Sequence, residues 1–189
     1  KAANSVPPQT PGTPGFAILK STGYPDKGYI GTGEGSGNPA PVSSKVDKFT
    51  FSTETNSNIP SGAAAGGRRG VAGNTSPTAG YFSGGAYGPG GWGSGRTTDR
   101  TPFSNDTPSV LPSATLPDPG KVWYAGSYGN RTHGYRVKGS MYDPNYTSSA
   151  NDKITYSTNT FQRMAEGSGV YATYGLSTLA SLEEGYAAG

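Results

Sequence analysis

The sequence predicts an all-β chain assembled from repeated blocks of about 52 residues, and three observations carry that expectation. The dipeptide Gly-Tyr recurs at Gly28-Tyr29, Gly80-Tyr81, Gly134-Tyr135 and Gly185-Tyr186, in steps of 52, 54 and 51 residues. An Asp-basic pair falls at Asp47-Lys48, Asp99-Arg100 and Asp152-Lys153, and an aromatic-Ser pair follows at Phe51-Ser52, Phe103-Ser104 and Tyr156-Ser157. Three independent markers keep one period, which is the signature of an architecture built by repetition.

The elements can be justified in order. The first 15 residues, KAANSVPPQTPGTPG, hold four prolines and few large side chains, so 1–15 is expected to be an extended arm, partly polyproline II. Repeat 1 is placed at 16–79, repeat 2 at 80–133, and repeat 3 at 134–189 with a surplus C-terminal hairpin. Within each repeat, runs such as Lys48-Phe49-Thr50-Phe51 and Lys153-Ile154-Thr155-Tyr156 alternate polar and apolar residues, the pattern of a half-buried strand. Thr55, Thr107 and Thr160 close short Ser/Thr/Asn/Asp runs, whose side chains satisfy backbone groups in turns. Gly31, Gly84-Gly85 and Gly139 follow the Gly-Tyr strand, where positive φ or close backbone approach is expected. Ser177 to Glu184 is the best helical window, but it aligns with strand positions of the other blocks and is read as strand. The plan of apolar strand, polar turn and Gly-Tyr strand occurs four times, at Phe16–Gly31, Val71–Gly84, Val122–Gly139 and Val170–Gly189, against three copies of the VDKFTFST type. The extra hairpin would complete a closed ring or pair with a neighbouring chain.

Composition bounds the function. Gly (31) and Pro (16) make up about a quarter of the 189 residues, and Leu, Ile, Val and Phe together supply only 24. Units this lean in aliphatic residues need neighbours to bury their faces, so the expected partner is a further copy of the chain. The 13 Tyr and 2 Trp, with a net charge of only +3, oppose a disordered reading. Without any Cys there is no disulfide, thiolate metal site or cysteine nucleophile. No apolar run reaches the length of a membrane span. The basic residues are scattered, with Arg68-Arg69 the only adjacent pair, so no nucleic-acid surface is expected.

His133 is the single histidine and lies in a turn, which leaves no triad or zinc motif; no catalytic, metal or cofactor site is expected, and the chain is read as non-enzymatic. Ser104-Asn105-Asp106-Thr107 begins like an Asp box, but Glu54 and Asn159 occupy the Asp position in the other blocks, so a β-turn rich in local hydrogen bonds is favoured. Asp47, Asp99 and Asp152 recur beside a basic residue and are expected to pair locally; no single block clusters enough carboxylates for calcium. Asn74, Asn105, Asn130 and Asn145 head Asn-x-Ser/Thr sequons and are candidate glycan attachment sites, with Asn74 and Asn130 expected at the same turn of successive blocks. Tyr87, Trp92, Tyr142 and Tyr146, in Gly-rich segments, are candidate aromatics for stacking on surface glycans.

A block of this length with a glycine pair, a later Asp-basic-aromatic strand and a small/basic segment resembles the kelch repeat. Gly80-Tyr81-Phe82-Ser83-Gly84-Gly85 carries the glycine-pair strand, and Arg68-Arg69-Gly70-Val71-Ala72 the segment before a strand pair. Blocks one and three place Ile30-Gly31-Thr32 and Val137-Lys138-Gly139 at the glycine pair. The combination of GYFSGG, TDR and FSNDT is similar to a degenerate repeat of surface and tail-fibre proteins from marine cyanobacteria and their phages. The resemblance spans Phe16 to Gly189 and implies kelch-like four-stranded blades, forming a propeller or an open array completed by neighbouring chains. It also implies a structural or adhesive role at a cell exterior or virion surface: a fibre or filament subunit or, alternatively, a carbohydrate-binding adhesin or receptor-binding module.

Overall fold

The structure, a computed structural model, describes residues 26–34, 42–87, 93–117, 125–139, 148–164, 177–180 and 185–188. The proline-rich arm, Trp92, Tyr142, Tyr146 and Asn145 lie outside them. The described residues contain strands and turns and no helix. None of them forms a helix long and apolar enough to cross a membrane.

Strands β1 (Lys27–Glu34), β2 (Val42–Thr50) and β3 (Thr55–Ile59) form one antiparallel sheet in that order. Strands β4 (Arg68–Arg69), β7 (Ala86–Tyr87) and β8 (Gly93–Ser94) form a small second sheet. Strands β5 (Ala72–Thr75), β6 (Ala79–Ser83), β9 (Thr98–Pro102) and β10 (Ser109–Val110) build a four-stranded sheet ordered β10-β9-β6-β5. Strands β11 (Gly126–Gly129), β12 (His133–Gly139), β13 (Ser148–Thr155) and β14 (Thr160–Arg163) build another, in sequential order. The hairpin β15 (Ser177–Ala180) and β16 (Gly185–Ala188) follows and packs on β11. The described part of the helical window, Ser177–Ala180, is strand, as alignment with the other blocks requires.

The Gly-Tyr strand meets the Asp-basic strand in one register throughout: Tyr29 faces Lys48, Tyr81 faces Arg100, and Tyr135 faces Lys153. The turn after the Asp-basic strand is likewise the same three times. It is closed by backbone bonds from Phe51 to Asp26, Phe103 to Thr78 and Tyr156 to Thr132, at 3.0, 2.9 and 3.0 Å. Its fourth residue is left-handed in each case, with φ of 53° at Glu54, 54° at Asp106 and 52° at Asn159. The sequence period is therefore a structural period. Its phase differs from the sequence boundaries: the two four-stranded sheets each begin one strand before Gly-Tyr, because β5 pairs with β6 and β11 with β12.

Glycine acts where expected in the second block. Gly84 (φ 71°) and Gly85 (φ 89°) end β6 and turn the chain towards β7. In the first and third blocks the strand runs on through a register shift, between Gly31 and Gly33 and between Val137 and Gly139.

The core lies between sheets and not within any one of them. Val46, Ile59 and Ala63 meet Phe82 across the first interface, with Tyr29 and Val71 packed against them. Ala79, Tyr81 and Ala114 meet Ile154 and Tyr156 across the second, flanked by Leu111 and Phe161. Alternation makes this possible, since residues 151–156 switch between half-buried and buried at every step. With so few aliphatic side chains, each sheet buries its face only by borrowing rings from the next.

Candidate functional site

The chemistry of the chain concentrates at these interfaces. Tyr29 leaves β1 on the face turned to the β5-β6-β9-β10 sheet, and its ring stacks on Phe103 at 5.3 Å with 9° between the planes. Its hydroxyl donates to Asp106 Oδ1 at 2.7 Å. Lys27, two residues earlier on the same face, reaches Asp106 Oδ1 at 2.8 Å, and Lys48, the cross-strand neighbour of Tyr29, reaches Oδ2 at 2.7 Å. Partial burial pushes the Asp106 carboxyl up, but hydrogen bonds from Lys27, Lys48 and Tyr29 outweigh it and hold the group at about 2. Burial, and then the bond to that carboxylate, raises the Tyr29 phenol well above its ordinary value.

The next interface repeats the arrangement without charge. Tyr81 stacks on Tyr156 at 5.0 Å and 22°, and its hydroxyl donates to Asn159 Oδ1 at 3.3 Å. One device thus joins successive blocks twice: a Gly-Tyr tyrosine lies on the aromatic of the next block's turn and bonds the left-handed residue of that turn. The small first residue of the marker makes room, since a Cβ on Gly80 would stand 2.8 Å from Tyr29 Cδ2.

The recurrent aspartates pair across strands instead of with their sequence neighbours. Asp99 receives Arg68 Nη2 at 2.5 Å and the Ala65 N–H at 2.8 Å, and both charged side chains are 0% exposed. Burial raises the Asp99 carboxyl despite the opposing guanidinium. Arg68 Nη1 also donates to the Gly84 and Thr97 carbonyls at 2.9 and 3.0 Å, so this one side chain ties β4 to the end of β6 and the start of β9. Asp152 is held by Arg136, opposite it on β12, and by Arg163 of β14 at 2.6 Å. Asp47 lies on the surface and accepts from Asn58, its neighbour on β3. The adjacent basic residue points to the opposite face, which is why Lys48 reaches Asp106.

The sequon residues are placed differently from one another. Asn74 and Asn130 do not share a turn: Asn74 faces Tyr81 within β5, whereas the counterpart of Asn130 is Ser76. Asn130 Oδ1 accepts the Thr132 and His133 N–H groups at 2.9 Å each, and Ser76 Oγ accepts those of Thr78 and Ala79 at 3.2 and 3.0 Å. Two residues of register separate the sequence alignment from the structural one. Asn74 is 6% exposed with its amide against Gly134, so this fold leaves no room for a glycan there. Asn105 is exposed and accepts the Thr107 N–H at 3.1 Å.

Tyr87 is engaged by the protein itself. Its ring lies 5.8 Å from the Arg68 guanidinium carbon, and its hydroxyl is 2.5 Å from Thr97 Oγ1. His133 opens β12 with Nδ1 2.8 Å from Thr132 Oγ1. Among the described residues no three His, Asp or Glu side chains gather as a metal site. A cleft of about 190 Å³ beside Tyr29 is lined by Gly73, Asn74, Thr75, Gly80, Tyr81 and Phe82.

The residues that matter most at the interfaces, Tyr29, Tyr81, Asp106 and Asn159, were visible in the sequence as separate markers. What paired them is a distance of 77 or 78 positions, one and a half periods, which no local pattern reveals.

No protein-family model matches the chain, and no curated protein matches it by sequence. Among solved structures, one described as "Structure of YjhT" superposes with a TM-score of 0.63 at 14% sequence identity. The match covers 81% of this chain and 53% of that one, so the chain spans about half the length of the structure it matches. At this identity the likeness is one of fold, and the described residues of the chain form small antiparallel sheets without a helix.

Proposed function

We propose that the protein is a non-enzymatic structural subunit whose kelch-like repeats stack as blades and continue from one copy to the next, building a fibre or filament outside the cell or on a virion. The observation that carries this reading is where the core lies. The buried apolar residues sit between sheets, so a unit without a neighbour leaves an apolar, ring-bearing face open to water. The joint that covers such faces is generic, used twice with different residues, and therefore extensible. Asp106, Asp99 and Asp152 are engaged in a joint or in buried ion pairs, which favours scaffolding over turnover.

Sedimentation velocity and negative-stain microscopy of the purified chain test the proposal. Concentration-dependent species well above 19.3 kDa, seen as rods or closed rings of stacked units, are expected. A compact 19.3 kDa particle at every concentration would overturn it.

A further inference from the structure

The joint described above has donor and acceptor halves, and among the described residues each half is also present once without its counterpart. The donor half is the Gly-Tyr tyrosine with its flanking and cross-strand residues: Lys27, Tyr29 and Lys48 in the first block, Ala79, Tyr81 and Arg100 in the second, His133, Tyr135 and Lys153 in the third. The acceptor half is the aromatic of the turn and its left-handed residue: Phe51 with Glu54, Phe103 with Asp106, Tyr156 with Asn159. Two of the three acceptors are filled. On the remaining one, Phe51 is 51% exposed and Glu54 is exposed. At the other end, Tyr135 stacks on Tyr128 at 5.4 Å, and neither its hydroxyl nor Lys153 makes a hydrogen bond among the described residues.

We propose that these two halves meet between copies: the Tyr135 ring of one copy stacks on Phe51 of a second copy, with the Tyr135 hydroxyl and Lys153 on the Glu54 carboxylate. The inference rests on the self-assembly reading and names the joint it uses. Two observations choose a second copy as occupant. The turn geometry is the same as at the filled sites, to within 2° in φ and about 0.1 Å in the closing hydrogen bond. The charges match those of the first interface, a carboxylate facing a tyrosine and a cross-strand lysine, with His133 where Lys27 stands. The β15–β16 hairpin packs on β11, two strands away from β13, which carries Lys153.

Charge reversal tests the joint by sedimentation velocity in low salt. Glu54→Lys and Lys153→Glu each place like charges across it, and each is expected to weaken association at least roughly tenfold. Mixing the two variants should restore a species of paired copies, since the introduced ammonium of the Glu54→Lys copy then meets the introduced carboxylate of the Lys153→Glu copy. Phe51→Ala should weaken association independently of salt. Unchanged far-UV spectra and thermal midpoints check that the variants fold; both charged positions are on the surface or half-buried. Wild type that assembles while the reversals have no effect, or whose loss the mixture does not restore, overturns this joint and leaves self-assembly standing. A monomeric wild type overturns both.

Discussion

Replacing Asp106 by Asn isolates the charge at the first interface. The backbone tolerates the change, because Asn159 already occupies the same left-handed position in the third block and accepts from Tyr81. The Asn Oδ1 can still accept from Tyr29, so what disappears is the attraction to Lys27 and Lys48, at 2.8 and 2.7 Å. The folded carboxyl titrates at about 2 against a reference of 3.8, and at 1.36 kcal/mol per pH unit this difference corresponds to about 2 kcal/mol of stability. The acid's value is depressed on folding, so its contribution is fully present above the reference value and is lost as pH falls from about 4 towards 2. Urea unfolding of both proteins across pH 2 to 7 measures this. The variant should be less stable by roughly 2 kcal/mol at neutral pH, with the gap closing below pH 4. A gap that is absent at pH 7, or that stays constant down to pH 2, refutes the reasoning.

Three further outcomes follow from the same geometry. Tyr29→Phe removes a hydrogen bond to a charged acceptor and should cost about 1.5–3 kcal/mol, whereas Tyr81→Phe, which loses a 3.3 Å bond to an amide, should cost about 1 kcal/mol or less in the same urea assay. Arg68→Met leaves the Asp99 carboxyl buried without its cation and the Gly84 and Thr97 carbonyls without a donor, so a loss of about 3–5 kcal/mol is expected, partly recovered by adding Asp99→Asn. Gly80→Ala puts a methyl 2.8 Å from the Tyr29 ring and should cost about 1–3 kcal/mol, seen as a lower thermal midpoint; an unchanged midpoint would mean that Tyr29 moves aside freely.

The architecture was largely legible in the sequence because repetition multiplies weak signals. One Gly-Tyr pair says little, but four at a near-constant step fixed the strand, its partner and the turn that follows. Alternation in Lys153-Ile154-Thr155-Tyr156 gave the buried face correctly. Register was harder. Asn74 and Asn130 look equivalent as sequons, yet the turn is built on Ser76 and Asn130, since hydroxyl and amide oxygens serve one acceptor role and motif matching cannot see the substitution. The partners of Asp99 and Asp152 were hidden for a related reason: Arg68 is 31 residues from Asp99, in a two-residue strand with no periodicity to read. The joints were least visible, because stacking across sheets depends on the twist and spacing of whole blocks.

The two filled seams place a carboxylate at one and a carboxamide at the other on the same left-handed backbone position. Acid therefore weakens the first seam as pH falls from about 4 towards 2, while the carboxamide at the second has no charge to lose. A tandem protein made in this way can set the order in which its segments come apart by the choice of one side chain per junction.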